Sequence, residues 1–324
     1  MIDISVIIVS WNARDFLLKC LRSLFQEQTA YTSEIIVVDN ASSDGSAEAV
    51  KENFPEVVLI QNETNFGFAK ANNIGIRKST GRYLYLINSD VEVLESCIDR
   101  LYDFMEANGG IGMAGPRILY PDGRLQVTCR EFPSLWNNFC SAAGLNKVFP
   151  SYSFFSSDQM FYFNHDEIRS INVLAGCFLV VRRTAMKNVG LLDERFFIYS
   201  EDIDWCRRFW DADWQIAFLP EAEAIHYGGG SSLNAPVRFS LEQERATMQY
   251  WHKHHSMLSI MILLIILFTK HLTRLLWTVL LYTIKPTKRS KALKRVKQNI
   301  SGIKFIFTYR PHSNSREFTS SKSK

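Results

Sequence analysis

The sequence predicts an α/β protein built on a Rossmann-like, mostly parallel sheet with helices on both faces. Two observations support this class. Short β-branched runs alternate with helical patterns over the first hundred residues, and most of these runs are apolar throughout. Strands without polar alternation are typical of sheets that are covered on both sides. The chain has 324 residues, of which 47% are hydrophobic, so it is long enough to bury such a sheet.

The first part of the chain contains four predicted strands and three predicted helices in alternation. In chain order, the strands are 4–9, 34–38, 57–60 and 83–87, and the helices are 16–25, 45–54 and 67–78. Later strands are predicted over 173–182 and 215–219, with a helix carrying residues 201–205 between them.

The regular pattern fades over residues 122–172. This segment is rich in aromatic residues, contains Pro133 and Pro150 as breakers, and shows no periodicity. An aromatic but aperiodic insertion is either a loop packed on the body of the protein or a lid over a bound molecule. Both alternatives stay open, and we treat the segment as a variable insertion.

Polar side chains follow the predicted strands at the point where each strand ends. Ser10 and Asn12 follow the first strand, Asp39 follows the second, and Asn88 and Asp90 follow the fourth. Ligands of parallel α/β sheets bind beyond these carboxyl ends. A carboxylate such as Asp39 can accept hydrogen bonds from a base or a ribose there. The sequence therefore predicts a ligand site at this edge of the sheet.

A series of ordered motifs covers most of the chain before residue 232. They are DNASSDGS at 39–46, NFGFAKANNIG at 65–75, LINSD at 86–90, GCF at 176–178, GLLDERFF at 190–197, ED at 201–202 and HYGGGS at 226–231. With these motifs the sequence resembles the family 2 glycosyltransferases. It is most similar to the bacterial rhamnosyltransferase-like members that build cell-surface polysaccharide.

The resemblance implies the GT-A fold, a nucleoside-diphosphate-sugar donor and a divalent cation, Mg²⁺ or Mn²⁺. Such a cation stabilises the charge that develops on a diphosphate leaving group. Asp90 matches the last residue of the family's DxD-like motif, which is a metal ligand, while Asn88 at its first position leaves one charged ligand fewer. His226 matches a histidine that reaches the metal in some relatives. Its alternatives are a buried histidine or a hydrogen bond to phosphate.

The catalytic base implied by the resemblance is Asp202, the aspartate of the ED motif. An inverting transfer needs one base, which deprotonates the acceptor hydroxyl as it attacks the anomeric carbon. A retaining glycosidase would need two carboxylates flanking one bond. Asp204 is the alternative base, although a carboxylate at that position is also typical of a helix start.

The predicted contacts to the donor nucleotide sugar come from the strand ends and from the second motif. They are Ser10, Asn12, Asp39, Asn65, Gly67, Asn72 and Asn88.

The function predicted from the resemblance is inverting, metal-dependent transfer of a sugar, with dTDP-rhamnose as the leading donor, to a polyprenyl-linked saccharide. The alternative is a non-catalytic, membrane-bound protein that binds a sugar nucleotide. A dinucleotide-dependent oxidoreductase is disfavoured because the first strand lacks a following G-x-G-x-x-G. A processive polysaccharide synthase is disfavoured because no Q-x-x-R-W follows Asp202.

The predicted domain organisation has three parts. Residues 1–235 form the GT-A domain, in which 122–172 is the acceptor-side insertion. Residues 236–284 form C-terminal helices, of which 257–284 is a membrane-associating apolar segment, and 285–324 is a basic tail. Lys270 and Arg274 would lie near mid-bilayer in a spanning helix, so the sequence favours an in-plane or re-entrant helical pair.

Charge and cysteine usage predict the location of the protein. Residues 285–324 carry eight lysines and four arginines against one acid, which suits an anionic membrane surface on the cytoplasmic side. The six cysteines show no disulfide or metal spacing, as expected of reduced thiols in a cytosolic protein. We expect a peripheral or monotopic protein at the cytoplasmic membrane face, with no nucleic-acid partner and homo-oligomerisation left open.

Overall fold

A ten-stranded mixed sheet forms the centre of the protein in the computed structural model, which describes residues 2–228, 236–284 and 289–309. In chain order, the strands are β1 Ile4–Ser10, β2 Ser33–Asp39, β3 Val58–Gln61, β4 Tyr83–Asn88, β5 Val91–Val93, β6 Ile111–Leu119, β7 Leu125–Gln126, β8 Cys129–Arg130, β9 Arg169–Ser170, β10 Val173–Leu174, β11 Phe178–Arg182 and β12 Gln215–His226.

The helices of the described ranges surround this sheet and continue beyond it. They are α1 Arg14–Gln26, α2 Ser46–Asn53, α3 Phe68–Lys78, α4 Cys97–Ala107, α5 Leu135–Ala143, α6 Leu145–Val148, α7 Ser153–Ser156, α8 Arg183–Val189, α9 Glu201–Asp211, α10 Pro236–His254, α11 Met257–Ile284 and α12 Arg289–Thr308.

The strand order is β3-β2-β1-β4-β11-β6-β12-β5, with β7 beside β6 and β9 beside β12. Strands β1 to β4 pair in parallel, as do β6 and β12, whereas β11 is antiparallel to both β4 and β6. The predicted mostly parallel α/β sheet is therefore confirmed.

Helices cover both faces of the sheet because the strands are apolar on both sides. On β1, Val6 and Ile8 pack in one core with α1, α2 and α4. Ile7 points to the opposite core, which it shares with α3, α8 and α9. This two-sided packing is what the unbroken apolar runs of the sequence predicted.

The structure differs from the predicted elements in the second half of the sheet. The strand predicted over 173–182 is two strands, because β10 leaves the main sheet to pair with β8 while β11 pairs with β4 and β6. Strand β12 extends to His226, well past the predicted end at residue 219. Elements β5, α4 and β6 lie where none was predicted.

Strand β6 was not predicted because small residues and a proline interrupt its apolar pattern. It contains Gly112, Gly115 and Pro116. A Cβ on Gly112 would lie 2.8 Å from the Phe209 ring, and one on Gly115 would lie 3.0 Å from Leu174. These glycines allow close packing of α9 and β10 on the strand.

The aromatic insertion over 122–172 is an ordered layer of short strands and helices. The Ser134 hydroxyl caps α5 by accepting a hydrogen bond from the Asn137 N–H. Helix α5 packs against α11, so the insertion contacts the C-terminal helices. Several of its aromatic side chains are exposed: Trp136, Phe139, Phe149, Tyr152, Phe154 and Phe161.

The apolar C-terminal segment is one continuous helix, α11, rather than the predicted pair broken near Lys270. Nothing between residues 269 and 274 breaks a helix, and His271 is buried against its neighbours. Met257–Leu280 is the one helix in the described ranges that is long and apolar enough to cross a membrane. The region predicted as a basic tail contains α12, which packs on α10 and α11.

Candidate active site

The predicted ligand site forms where parallel strands end at one edge of the sheet. Ser10 at the end of β1 is paired in register with Asp39 at the end of β2. Val9 of β1 is paired with Asn88 at the end of β4. Three side chains from separate strands therefore lie side by side at this edge.

These strand-end side chains have polar atoms that the rest of the described chain does not satisfy. Ser10 Oγ, Asp39 Oδ1 and Asn88 Oδ1 are buried and have no hydrogen-bond partner among the residues described. Burial raises the pKa of the Asp39 carboxyl. Because an unsatisfied buried polar atom is costly, such a group of them indicates a place for a polar ligand.

The other predicted donor contacts are occupied within the protein. The Asn12 side chain accepts from the Ser43 N–H, and Asn65 Oδ1 accepts from the Gly67 N–H. Asn72 donates to the Phe68 carbonyl one turn earlier in α3. A Cβ on Gly67 would lie 2.3 Å from the Phe197 carbonyl oxygen, so its glycine is required for packing. The contact of these four residues with a donor stays a prediction.

Asn40, which the sequence analysis did not select, organises the loop around this edge. Its Nδ2 donates to Asn65 Oδ1 and to the Gly67 carbonyl, and its Oδ1 accepts from the Phe66 N–H. It is almost fully buried. In the sequence, the position of Asn40 directly after Asp39, at the end of a strand, could have indicated this role.

The two residues predicted as metal ligands lie together. Asp90 follows β4, and His226 ends β12, whose pairing with β5 brings them close. His226 Nε2 lies 3.2 Å from Asp90 Oδ1, and Nδ1 is 3.0 Å from Gln126 Oε1. A ligating histidine is commonly held through its second nitrogen in this way.

This donor set fits a Mg²⁺ or Mn²⁺ ion that also binds phosphate. Within the described ranges, no group of three or more His, Cys, Asp or Glu side chains is suited to a metal. Asp90 and His226 would supply two protein ligands, and the unsatisfied Asn88 Oδ1 lies on the strand leading to them. Magnesium usually keeps few protein ligands, with water and phosphate oxygens completing the shell.

Asp202 lies in a cavity of about 260 Å³ beside the strand edge. Its Oδ2 accepts from the Gly176 N–H at 2.9 Å, and its Oδ1 accepts from the Ile203 N–H. Asn88, Arg130 and Tyr199 line the same cavity. The carboxylate is thus held in a fixed orientation, facing the end of β4.

The backbone that presents the ED motif is strained. Tyr199 and Ser200 precede α9 with φ values of 72° and 63°, in the left-handed region. Non-glycine residues adopt this conformation at a cost of about 1–3 kcal/mol each. Two in succession at the start of α9 indicate that the tertiary structure fixes the position of Glu201 and Asp202.

Comparison with known proteins identifies the family. Residues 5–190, more than half of the chain, match the family described as Glycosyl transferase family 2. The chain is a family 2 glycosyltransferase. The resemblance found in its motifs is thereby confirmed.

The glycosyltransferase is 28% identical to the N-acetylglucosaminyl-diphospho-decaprenol L-rhamnosyltransferase of Mycobacterium tuberculosis, over 78% of this chain and 84% of that one. Its structure is similar to that of the mannosyltransferase PcManGT from Pyrobaculum calidifontis in complex with GDP-Man and Mn²⁺. The TM-score is 0.56 and the identity 13%, over 95% of this chain and 89% of that one.

A second structural relative is GalNAc-T7, solved with UDP, GalNAc and Mn²⁺. The TM-score is 0.54 at 18% identity, over 78% of this glycosyltransferase and 48% of that chain. At these identities the likeness establishes the fold alone, and it confirms the predicted GT-A architecture.

Asp204, the alternative base, is occupied by ion pairs. It is fully buried, and its carboxylate lies within 3 Å of Arg208, Lys253 and His254. Burial alone would raise the pKa of Asp204, but hydrogen bonds from His254 and Lys253 outweigh burial and hold the pKa below its usual value. In this glycosyltransferase Asp204 therefore ties α9 to α10.

Arg130 is a site residue that the sequence did not reveal. It ends β8 within the insertion, lines the Asp202 cavity, and has a buried Nε without a partner in the described part of the chain. A cation beside the strand edge suits the phosphates of a donor. No motif marks it, because its place depends on the pairing of β8 with β10.

Glu201 of the glycosyltransferase is buried next to Asp202, and its Oε2 has no partner among the described residues. Burial, assisted by the charge of Asp202, raises the pKa of Glu201 well above its usual value. The folded protein therefore holds Glu201 protonated at pH values where the unfolded chain ionises it.

This raised pKa predicts a pH-dependent stability for Glu201→Gln. The contribution of Glu201 to the free energy of unfolding is complete below the pKa that this group has in the unfolded chain. It is lost as pH rises towards the pKa in the folded protein, by up to about 1.4 kcal/mol per pH unit. In thermal melts between about pH 5 and about pH 8, the melting temperature of the glutamine variant should rise relative to that of the wild type as pH increases. The exposed Glu48→Gln is the control. If the melting temperatures of Glu201→Gln and of the wild type change equally with pH, the prediction is wrong.

Proposed function

We propose that this chain is an inverting glycosyltransferase that moves a sugar from a nucleoside-diphosphate sugar to a lipid-linked saccharide. One observation carries the proposal. Asp202, held by the Gly176 N–H, shares a cavity with Asn88, whose unsatisfied oxygen belongs to the strand edge where the donor is expected. Glu201 lines the same cavity, but Asp202 is the carboxylate that the Gly176 N–H fixes in place, which suits a one-base displacement.

In the proposed reaction Asp202 accepts the proton of the acceptor hydroxyl as that oxygen attacks the anomeric carbon. The Gly176 and Ile203 N–H groups each hold one carboxylate oxygen in place, and the carboxylate lines the cavity. Asp90 and His226 would hold a divalent cation, which when bound stabilises the charge on the departing diphosphate. Arg130 adds positive charge on the same side.

We propose dTDP-rhamnose as the donor and a polyprenyl-diphosphate-linked saccharide as the acceptor. The support is the Mycobacterium tuberculosis relative, whose name specifies an L-rhamnosyl transfer to N-acetylglucosaminyl-diphospho-decaprenol. Asp39 and Ser10 would contact the nucleoside, because β1 and β2 continue the strand edge from β4 in the direction away from β12, which carries His226.

A donor panel tests the proposed function. The purified full chain is supplied with dTDP-, UDP- and GDP-sugars and a short-chain N-acetylglucosaminyl-diphospho-polyprenol, and product is measured by mass spectrometry. We expect a glycosylated lipid with dTDP-rhamnose. If sugar nucleotides bind but none is consumed with any acceptor, the alternative of a non-catalytic sugar-nucleotide-binding protein replaces the proposal.

We further propose that α11 attaches the protein to the cytoplasmic membrane surface. One face of the helix packs on α10 through Ile260, Leu263 and Leu267. Its other face exposes a continuous series of large apolar side chains: Met257, Leu258, Met261, Ile262, Ile265, Leu272, Leu276, Trp277, Val279 and Leu280. An exposed apolar surface of this length is typical of a membrane contact.

Polar substitutions on the exposed face should release the protein from membranes. Ile265→Gln with Leu276→Gln leaves the packed face intact and removes two apolar contacts worth about 1.5–3 kcal/mol each. We expect binding to anionic vesicles to fall at least about tenfold in flotation assays. Val58→Gln with Tyr120→Gln, exposed on the catalytic body, is the control. Equal flotation of all three proteins would exclude α11 as the attachment.

A further inference from the structure

A second, larger cavity of about 740 Å³ lies between the C-terminal helices and the insertion. It is bordered by α10, α11 and α12, and by residues of α5 and α6. Four cationic side chains line it: Lys147 from α6, Lys270 and Arg274 from α11, and Arg295 from α12. We name it the basic cavity. Its volume is in the range of sites for small molecules.

The positive charge of the basic cavity is only partly balanced. Glu244 is the one acidic residue on its wall among the residues that the structure describes, and its Oε1 lies 2.7 Å from His271 Nε2 and 3.7 Å from Lys270 Nζ. No carboxylate of the described residues forms an ion pair with Lys147, Arg274 or Arg295. Three cations from three helices around one space repel each other, and an anion with two or more charges would stabilise them.

The basic cavity adjoins the Asp202 cavity. Gln243 and Thr247 lie one turn apart on α10, and both side chains border both cavities. The two cavities therefore share a part of their walls, formed by these two polar side chains. A sugar attached to a ligand in the basic cavity would extend towards Asp202.

The basic cavity also opens towards the apolar face of α11. Trp277 lines the cavity although 61% of it is exposed, and Leu276 and Leu280 continue the exposed surface beside it. A single ligand with a charged head and a long apolar chain would satisfy both surfaces. A free nucleotide or inorganic phosphate would use the cations and leave the apolar face uncovered.

We propose that the basic cavity binds the diphosphate of the lipid-linked acceptor, with the lipid along α11 and the saccharide directed past Gln243 and Thr247 to Asp202. This assignment rests on the proposed function and adds the acceptor site to it. Arg274, Arg295 and Lys147 bind the diphosphate, while Lys270 and His271 are held by Glu244.

The test compares Arg274→Gln with Arg295→Gln against a control with the same charge change, Lys294→Gln with Lys297→Gln. The control lysines are exposed on α12 and do not border the cavity. Direct binding of farnesyl diphosphate to the full chain in detergent is measured by calorimetry, with farnesol and phosphatidylglycerol as further probes. We expect the cavity variant to bind farnesyl diphosphate at least about tenfold more weakly and the control to bind as wild type does.

Transfer kinetics provide the second measurement. In the cavity variant the KM for the lipid-linked acceptor should rise at least about tenfold, while the KM for the donor and the melting temperature stay unchanged. Unchanged binding, an equal loss in the control, or equal affinity for farnesol or phosphatidylglycerol would overturn the assignment. Because the binding arm needs no turnover, diphosphate binding lost in the cavity variant supports the site even if no donor is consumed.

Discussion

Asp202→Asn should lower the rate of sugar transfer by about 10²–10⁴-fold, the usual effect of removing a general base. The amide has the shape of the carboxylate and keeps one oxygen to accept the Gly176 hydrogen bond, while its NH2 group loses the hydrogen bond from the Ile203 N–H. It cannot take a proton from an acceptor hydroxyl at neutral pH. The loss should therefore appear in kcat, with the donor KM close to wild type and a small fall in the melting temperature from the lost Ile203 hydrogen bond.

Asp204→Asn is the matched control for this experiment. It removes the charge that balances Arg208, Lys253 and His254 in a buried site, so it should lower the melting temperature markedly. Its rate per folded molecule should fall much less than that of Asp202→Asn. Retention of more than about a tenth of the wild-type rate by Asp202→Asn would place the base elsewhere.

Removal of divalent cations should abolish transfer, and Mn²⁺ or Mg²⁺ should restore it. In Asp90→Ala the metal concentration for half-maximal rate should rise, because one carboxylate ligand of few is lost. His226→Ala should show a smaller rise in the same direction. Asp122→Ala, an exposed carboxylate in the insertion paired with Arg124, is the control and should not move the metal dependence.

Titration of the rate with metal after exhaustive chelation gives the measurement. The difference between Asp90→Ala and Asp122→Ala is informative because both substitutions remove one negative charge. A shift in both variants would reflect net charge rather than ligation. Full activity in excess chelator would exclude the metal mechanism and leave the Asp90–His226 contact as a hydrogen bond within the fold.

The grouping of polar side chains at the strand ends could be predicted because its signals are local. Each strand is a short apolar run, and the polar residue that ends it, such as Asp39 or Asn88, follows directly in sequence. Parallel pairing then brings those ends together without further information. The contact of Asp90 with His226 needed the family resemblance, because they are far apart in sequence and meet only through β5 and β12.

The linings of the Asp202 cavity and of the basic cavity could not be predicted, because their residues are far apart in sequence. Arg130 reaches the Asp202 cavity from a two-residue strand that has no periodicity of its own. Gln243 and Thr247 reach it from α10, beyond the last motif of the family. The cations Lys147, Arg274 and Arg295 belong to three different helices. From hydropathy alone, Arg274 is an interruption of the apolar segment and Arg295 is part of the basic tail.

The ionic contacts of Asp204 have a consequence for chimaeric proteins. The sequence predicts a domain boundary at residues 235 and 236, which would suggest a junction there for an exchange between relatives. A junction there would separate Asp204 from Lys253 and His254. The buried carboxylate would then contact the residues that the other relative has at positions 253 and 254. We therefore expect a chimaera to fold well only when Asp204, Lys253 and His254 come from the same protein, with the junction placed after α10.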